Sequence, residues 1–233
     1  MALRQAGGLL ADAVAPIGLA VRGEPLAEDL RRYKSDRAAD APEAAARLQE
    51  LLAAYLCDEG DALWRAACMD SGPSAVAVVP SGQGRLGEHP LAGLVRSCVE
   101  LPLLRLSIAS EVIHIRGVDA GWLRVTGSVA GVDVLVVDDT WVSGGSAQSA
   151  AAALKRAGAR RVAIVVLGRH VNPASAGSAR FLAEMGALGV PGALGTPGAL
   201  GVPGALGTPG EKGWPKNLQG AVPSRLRASS WRQ

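Results

Sequence analysis

Residues 134–146 combine residue types that bind phosphate with two adjacent carboxylates. The string reads VLVVDDTWVSGGS: an apolar run ends at Asp138 and Asp139, and Ser-Gly-Gly-Ser follows at the predicted start of a helix. The first turn of a helix offers unpaired backbone N–H groups and the positive end of the helix dipole, which suit a phosphate dianion. Gly144 and Gly145 let the backbone approach that phosphate, because neither carries a Cβ. The string therefore predicts a phosphate site.

The two carboxylates add the chemistry that a sugar requires. We expect them about one sugar length from the phosphate, where they accept hydrogen bonds from vicinal ribose hydroxyls and favour positive charge at the anomeric carbon. The expected ligand is a phosphorylated pentose. The competing interpretation is a tight turn with Ser146 as an ordinary N-cap and two solvated acids. The candidate residues for the ribose and the 5-phosphate are Asp138, Asp139, Thr140, Ser143, Gly144, Gly145 and Ser146, with Asp138 and Asp139 also the candidate catalytic residues.

The surrounding pattern predicts the elements that position this string. The continuous apolar run at 75–79 is typical of a strand buried on both faces, and largely apolar segments at 132–137 and 161–167 predict two more strands. An Ala-rich helix is predicted at 146–157, so strand, loop, helix and strand form a βαβ unit with a parallel sheet. The loop after Val137 then lies at the carboxyl edge, where open α/β sheets bind ligands. The predicted fold class is α/β, an open parallel sheet with helices on both faces.

The N-terminal third supplies further elements. The pattern predicts strand or loop to about Arg22, helices at 26–33 and 42–57, and a later helix at 91–99. Pro42 stands at the start of the second of these helices, a position that proline favours. The helix at 42–57 shows no chemical motif, and we expect the N-terminal third and part of residues 101–130 to form a hood and flexible loop over the site.

The C-terminal composition differs abruptly from the rest. We expect the folded domain to span residues 1–185, because residues 186–215 place glycine at every third position. That is the collagen period, although so short a run favours an extended linker over a triple helix. Residues 216–233 are basic and are expected to form a disordered tail.

Charge and cysteine content narrow the function classes. The net charge of +3 is concentrated in the tail and gives no reason to infer nucleic-acid binding. No apolar run is long enough to span a bilayer, and no CxxC pair indicates a disulfide framework or zinc site, so a cytoplasmic protein without membrane contact is expected. The histidines show no metal-ligand spacing, and no protein-held metal is predicted. The three cysteines are Cys57, Cys68 and Cys98, and the three histidines are His89, His114 and His170.

A second glycine-rich string raises a competing class of protein. Residues 82–87 read GQGRLG, which satisfies the GxGxxG pattern of dinucleotide-binding folds. That fold begins a helix at the second glycine, whereas Gly87 and Pro90 disfavour a helix here. The string is better interpreted as a flexible anion-binding loop, with an ordinary surface loop as the alternative.

The 134–146 string resembles the phosphoribosyl pyrophosphate signature of type I phosphoribosyltransferases. That signature is a hydrophobic strand, two acidic residues, a short spacer and Thr/Ser-Gly-x-Thr/Ser. The chain looks most similar to the ComF-related branch, because Tyr33-Lys34 after an amphipathic helix and Val79-Pro80 followed by Arg85 also match it. The resemblance covers roughly residues 18–173.

The resemblance implies a ligand and a set of contacts. Asp138 and Asp139 would bind the ribose hydroxyls, residues 140–146 the 5-phosphate, and the loop 81–85 the pyrophosphate. The implied cofactor is Mg²⁺, carried mainly by the ligand. Arg105 and Arg116 fall where the family has a mobile, often basic loop. The pyrophosphate candidates are Ser81, Gly82 and Arg85.

Three functions remain open from the sequence. The first is an enzyme that transfers the phosphoribosyl group to a small-molecule nitrogen acceptor and releases pyrophosphate. The second is a non-catalytic protein that binds phosphoribosyl pyrophosphate as a regulator or accessory factor in nucleotide metabolism or DNA uptake. The third is an assembly protein that trimerises through its Gly-x-y segment. A homodimer is left open as the assembly for the first two.

Overall fold

A computed structural model describes residues 8–35, 37–81, 89–109, 117–175 and 178. Within these ranges the chain forms six strands and four helices. In chain order they are β1 (Ala13–Val21), α1 (Pro25–Arg32), α2 (Ala41–Ala66), β2 (Ala75–Val78), α3 (Pro90–Cys98), β3 (Leu103–Ile108), β4 (Leu123–Thr126), β5 (Asp133–Trp141), α4 (Gly145–Arg156) and β6 (Arg161–Val171).

The strands form one sheet in the order β1-β6-β5-β2-β3-β4. Neighbouring strands are parallel except for β4, which pairs antiparallel with β3 at one edge. β5 is central, between β6 and β2, so three parallel strands bring their carboxyl ends to one place. The expected open parallel sheet is confirmed, with one antiparallel edge strand added.

Helices cover both faces of the sheet, as predicted. Along β5 the apolar side chains alternate between two cores, because successive side chains of a strand point to opposite faces. Leu135 and Val137 pack in the core that includes the apolar residues of α1, α2 and α3. Val134 and Val136 pack in the second core, against the alanine-rich face of α4. The string of interest therefore leaves the sheet between two covered faces.

Three elements differ from the sequence expectation. α2 continues past Cys57 to Ala66, because Leu63 and Trp64 are buried and prolong the apolar stripe of the helix. The expected basic loop around Arg105 contains strand β3, and Arg116 lies outside the described residues. β5 does not end at Val137: it continues through the acidic pair and ends at Trp141.

The C-terminal part of the chain leaves three expectations open. Residues 179–233 lie outside the described residues, so the domain boundary at 185, the linker and the basic tail stay predictions. No helix within the described ranges is long and apolar enough to cross a membrane.

Candidate functional site

The acidic pair lies inside the last part of β5 rather than in a loop. Asp138 pairs with Val166 and Thr140 with Gly168 of β6, so the backbone here is held by the sheet. Because adjacent strand side chains point to opposite faces, the two carboxylates start in different directions. Asp139 is buried, at 6% exposure, and Asp138 is half-buried. The two acids therefore have different environments.

Asp139 is held by three groups from two other parts of the chain. Its Oδ2 accepts a hydrogen bond from the Tyr33 hydroxyl and lies 2.6 Å from Lys34 Nζ. His89 Nε2 lies 3.8 Å from the same oxygen. A buried carboxylate requires such partners, because an unpaired charge in the interior is strongly destabilising. Asp139 thus connects β5 to the end of α1 and the start of α3.

The fold fixes these partners in place. Tyr33 follows the last residue of α1, and its backbone N–H donates to the Asp29 carbonyl to close the helix. α1 is tied to α2 by an ion pair in which Arg47 Nε donates to buried Asp29 at 2.9 Å. His89 caps α3, since its Nδ1 accepts a hydrogen bond from the Leu91 N–H at 3.2 Å. Tyr33 and His89 are therefore each anchored to a helix end.

Asp138 has a pKa well above its ordinary value. Burial of the carboxyl, followed by repulsion from the Asp139 carboxylate, raises the pKa of Asp138 to about 7. The Asp139 N–H, which donates to Asp138 Oδ1 at 2.9 Å, and the charge of Lys34 both oppose this rise without cancelling it. Near neutral pH, Asp138 therefore exchanges between the protonated and ionised forms.

The phosphate candidates form a tight turn into α4. Gly144 is the N-cap residue of α4 and has φ +77°, a left-handed conformation that disfavours any residue with a Cβ. A Cβ at Gly144 would also lie only 2.1 Å from Cζ2 of the Trp141 indole. Ser143 Oγ accepts a long hydrogen bond of 3.4 Å from the Gly145 N–H. The helix begins at Gly145, one residue before the predicted start.

The structure brings most of the candidate residues together. The seven candidates for ribose and 5-phosphate lie in one continuous strand, turn and helix start. Ser81 follows β2, the strand next to β5, and is half-buried. Gly82 and Arg85 lie outside the described residues, as does His114, so the expected pyrophosphate loop stays a prediction.

Sequence reasoning missed the three groups that hold Asp139. Tyr33 and Lys34 enter the sequence analysis only through a family resemblance, although the hydroxyl and the ammonium both contact this carboxylate. His89 shows no metal-ligand spacing in the sequence, yet it both caps a helix and approaches the same carboxylate. The Pro90 at the start of α3 is the one sequence signal for the cap, since proline favours the first helical turn.

Mg²⁺ is the metal that the family resemblance implies. In the described part of the chain, no three or more His, Cys, Asp or Glu side chains form a group that could hold a metal ion. The half-buried Asp138 can still supply one oxygen ligand, which fits an ion carried mostly by phosphate oxygens.

Comparisons with known proteins give only partial likenesses. No protein-family model matches the chain, and no curated protein matches it either. A phosphoribosylpyrophosphate synthetase from Mycobacterium smegmatis matches with 24% identity and a TM-score of 0.33, over 58% of this chain and 37% of the synthetase. A purine phosphoribosyltransferase from Pyrococcus horikoshii Ot3 matches with 18% identity and a TM-score of 0.32, over 55% of this chain and 87% of the transferase. The match spans well under half of the synthetase, and likenesses at this level carry no argument about function.

Proposed function

We propose that the chain is a type I phosphoribosyltransferase-like protein that binds 5-phosphoribosyl 1-pyrophosphate at the carboxyl end of β5. In this proposal a nitrogen nucleophile attacks the anomeric carbon and pyrophosphate leaves. One observation carries the proposal: a central parallel strand has an acidic pair in its last part, and the turn after the strand passes through a left-handed glycine into a helix N-terminus. Ligands of open α/β sheets bind at such a point.

The two acids of the pair have different roles in the proposed binding mode. The 5-phosphate would lie at the first turn of α4, where backbone N–H groups and the hydroxyls of Ser143 and Ser146 surround it. Asp138 is the more accessible carboxylate and would accept hydrogen bonds from the ribose hydroxyls. Asp139 would act mainly by holding Lys34 near the sugar, since its Oδ2 is already engaged. Lys34 is then close enough to attract the negatively charged ligand.

Mg²⁺ would enter with the ligand. When bound, the ion neutralises charge on the leaving pyrophosphate. Asp138 is the described side chain best placed to offer it an oxygen, and the loop after β2, with Ser81, Gly82 and Arg85, is proposed to contact the pyrophosphate itself.

A non-catalytic role is the second candidate. It is favoured by the state of the acidic pair: Asp139 is paired with an ammonium, and the pKa of Asp138 is raised to about 7, chiefly by burial. Both effects reduce the negative charge available to stabilise a cationic anomeric carbon. Release of pyrophosphate in the presence of purine, pyrimidine and amine acceptors would support the enzyme, whereas binding without turnover of any acceptor would support the regulatory role.

The binding claim is tested by placing a carboxylate in the proposed phosphate cradle. Ser146→Glu adds an acid to the first turn of α4, which the helix dipole stabilises by about 0.3–1 kcal/mol, so the fold should persist. The same carboxylate repels the 5-phosphate, and calorimetry with Mg²⁺ should show binding weakened at least about tenfold. Ser128→Glu is the matched control, because Ser128 is exposed at the opposite edge of the sheet. Equal binding by both variants would contradict the proposed site.

We also propose an organisation for the whole chain. Residues 1–185 form the ligand-binding domain, residues 186–215 an extended linker and residues 216–233 a basic tail. Membership of the ComF-related branch is proposed on Tyr33 and Lys34, which follow α1 and reach the acidic pair.

A further inference from the structure

A pocket of about 640 Å³ lies beside the proposed phosphoribosyl site. Thr140 belongs both to the proposed site and to the wall of this pocket, so the two adjoin. The pocket opens at the carboxyl ends of β1 and β6 and along one side of α1. Its lining includes Ala20, Arg22, Leu30, Thr140, His170 and Asn172.

The floor of the pocket is apolar and closely packed. Ala20 and Leu30 are buried, at 1% and 5% exposure. β6 allows α1 to approach because it carries a glycine at 168, where a Cβ would lie 2.6 Å from Leu30 Cδ1 and 2.9 Å from Ala20 Cβ. A volume of this size with an apolar floor suits a small organic molecule rather than a lone ion.

The rim carries the charge that selects the occupant. Arg31 donates to Glu28 at 2.7 Å, so these two largely neutralise each other. Arg22 is exposed and, among the residues that the structure describes, its side chain makes no hydrogen bond or ion pair. His170 near the end of β6 and Asn172 just after it add further polar groups. The uncompensated guanidinium favours a ligand with a planar anionic group, which arginine binds through two parallel hydrogen bonds.

We propose that this pocket is the acceptor subsite and that its occupant is a small nitrogen nucleophile bearing a carboxylate, bound by Arg22. The assignment of an acceptor rests on the proposed phosphoribosyltransferase function. The apolar floor would hold the body of the molecule, while the shared Thr140 places it next to the sugar. The carboxylate at the rim would orient the nitrogen inward, toward the ribose.

The test compares ligands that differ only in the carboxylate. Calorimetry on the full chain would use 2-aminobenzoate against aniline, and pyridine-3-carboxylate against pyridine-3-carboxamide. We expect each carboxylate to bind about tenfold or more tightly than its uncharged partner, as charge-assisted hydrogen bonds imply. Arg22→Ala should remove this preference. Arg124→Ala should retain it, because Arg124 is an exposed arginine on β4, at the far edge of the sheet from β1.

A parallel titration with phosphoribosyl pyrophosphate and Mg²⁺ separates this proposal from the proposed function. If that ligand binds but no carboxylate preference appears, or the preference survives Arg22→Ala, the acceptor subsite is wrong and the proposed function stands. If the carboxylates bind through Arg22 but phosphoribosyl pyrophosphate does not bind, the anion pocket stands and the phosphoribosyltransferase is wrong. Failure of both carboxylates to bind overturns the pocket.

Discussion

Replacing Asp138 by asparagine should stabilise the protein at alkaline pH and weaken the binding of its proposed ligand. Burial, with added repulsion from Asp139, raises the pKa of Asp138 to about 7 in the folded chain, above an ordinary value of 3.8. Above pH 7 the Asp138 carboxyl is charged in both states. The charge is unfavourable in the folded state, where it is buried next to Asp139, and costs nothing in the unfolded chain, where water surrounds it. As the pH falls from 7 toward 4, the folded carboxyl takes up its proton and this destabilisation disappears. Asparagine has a similar shape without the charge.

The size of the effect follows from the shift. Roughly three pKa units at about 1.4 kcal/mol each give an upper bound of about 4 kcal/mol. Asp138 is only half-buried, so solvent screening reduces the expected gain to about 1–2 kcal/mol. For a domain of this size, each kcal/mol raises the melting temperature by about 2–4 °C.

Thermal denaturation followed by circular dichroism at pH 8 and pH 5 measures this gain. Asp138→Asn should melt about 2–8 °C above the parent chain at pH 8, and the difference should shrink at pH 5. Asp58→Asn, which alters an exposed acid on α2, is the matched control and should change little at either pH. A variant no more stable than the parent at pH 8, or a gain independent of pH, would refute the reasoning.

Three further changes test the site and the domain boundary. Gly144→Ala should destabilise the chain more than Gly131→Ala. Both glycines have a positive φ, which should cost each variant about 1–3 kcal/mol, and at Gly144 the new Cβ also overlaps the indole. Equal losses of stability in urea denaturation would show that the ring moves freely. Lys34→Met should lower the free energy of unfolding by about 1–3 kcal/mol, since the buried Asp139 carboxylate loses its ammonium partner. A loss below about 0.5 kcal/mol would count against that pairing. Removing everything after residue 185 should leave the melting temperature nearly unchanged, and a fall of more than a few degrees would show a packed tail.

The central elements were predictable from sequence because their signals are local. β2 and the central parts of β5 and β6, at 134–137 and 162–167, are continuous apolar runs, and α4 contains a run of alanines that a glycine follows. β3 and β4 were missed because polar side chains, such as Arg105 and Ser107 in β3, interrupt the apolar pattern of these short strands. The helix predicted at 42–57 was too short, because burial of Leu63 and Trp64 continues the apolar stripe of α2 to Ala66.

In the site, too, the local features could be predicted from sequence and the long-range contacts could not. The acidic pair and the glycine turn lie in one short string, so their proximity could be predicted from sequence. Tyr33 and Asp139 are 106 residues apart in the chain, and their contact depends on how α1 packs across the sheet. Local pattern contains no information about that packing, so the partners of Asp139 and its burial emerged only from the structure.

A crystal structure of the chain with phosphoribosyl pyrophosphate and Mg²⁺ tests the central claim most directly. The account predicts the 5-phosphate at the backbone N–H groups that open α4, with ribose hydroxyls facing Asp138 and the pyrophosphate on the side of β2. A ligand whose phosphates lie away from the start of α4, for example against Arg22 in the neighbouring pocket, would contradict it.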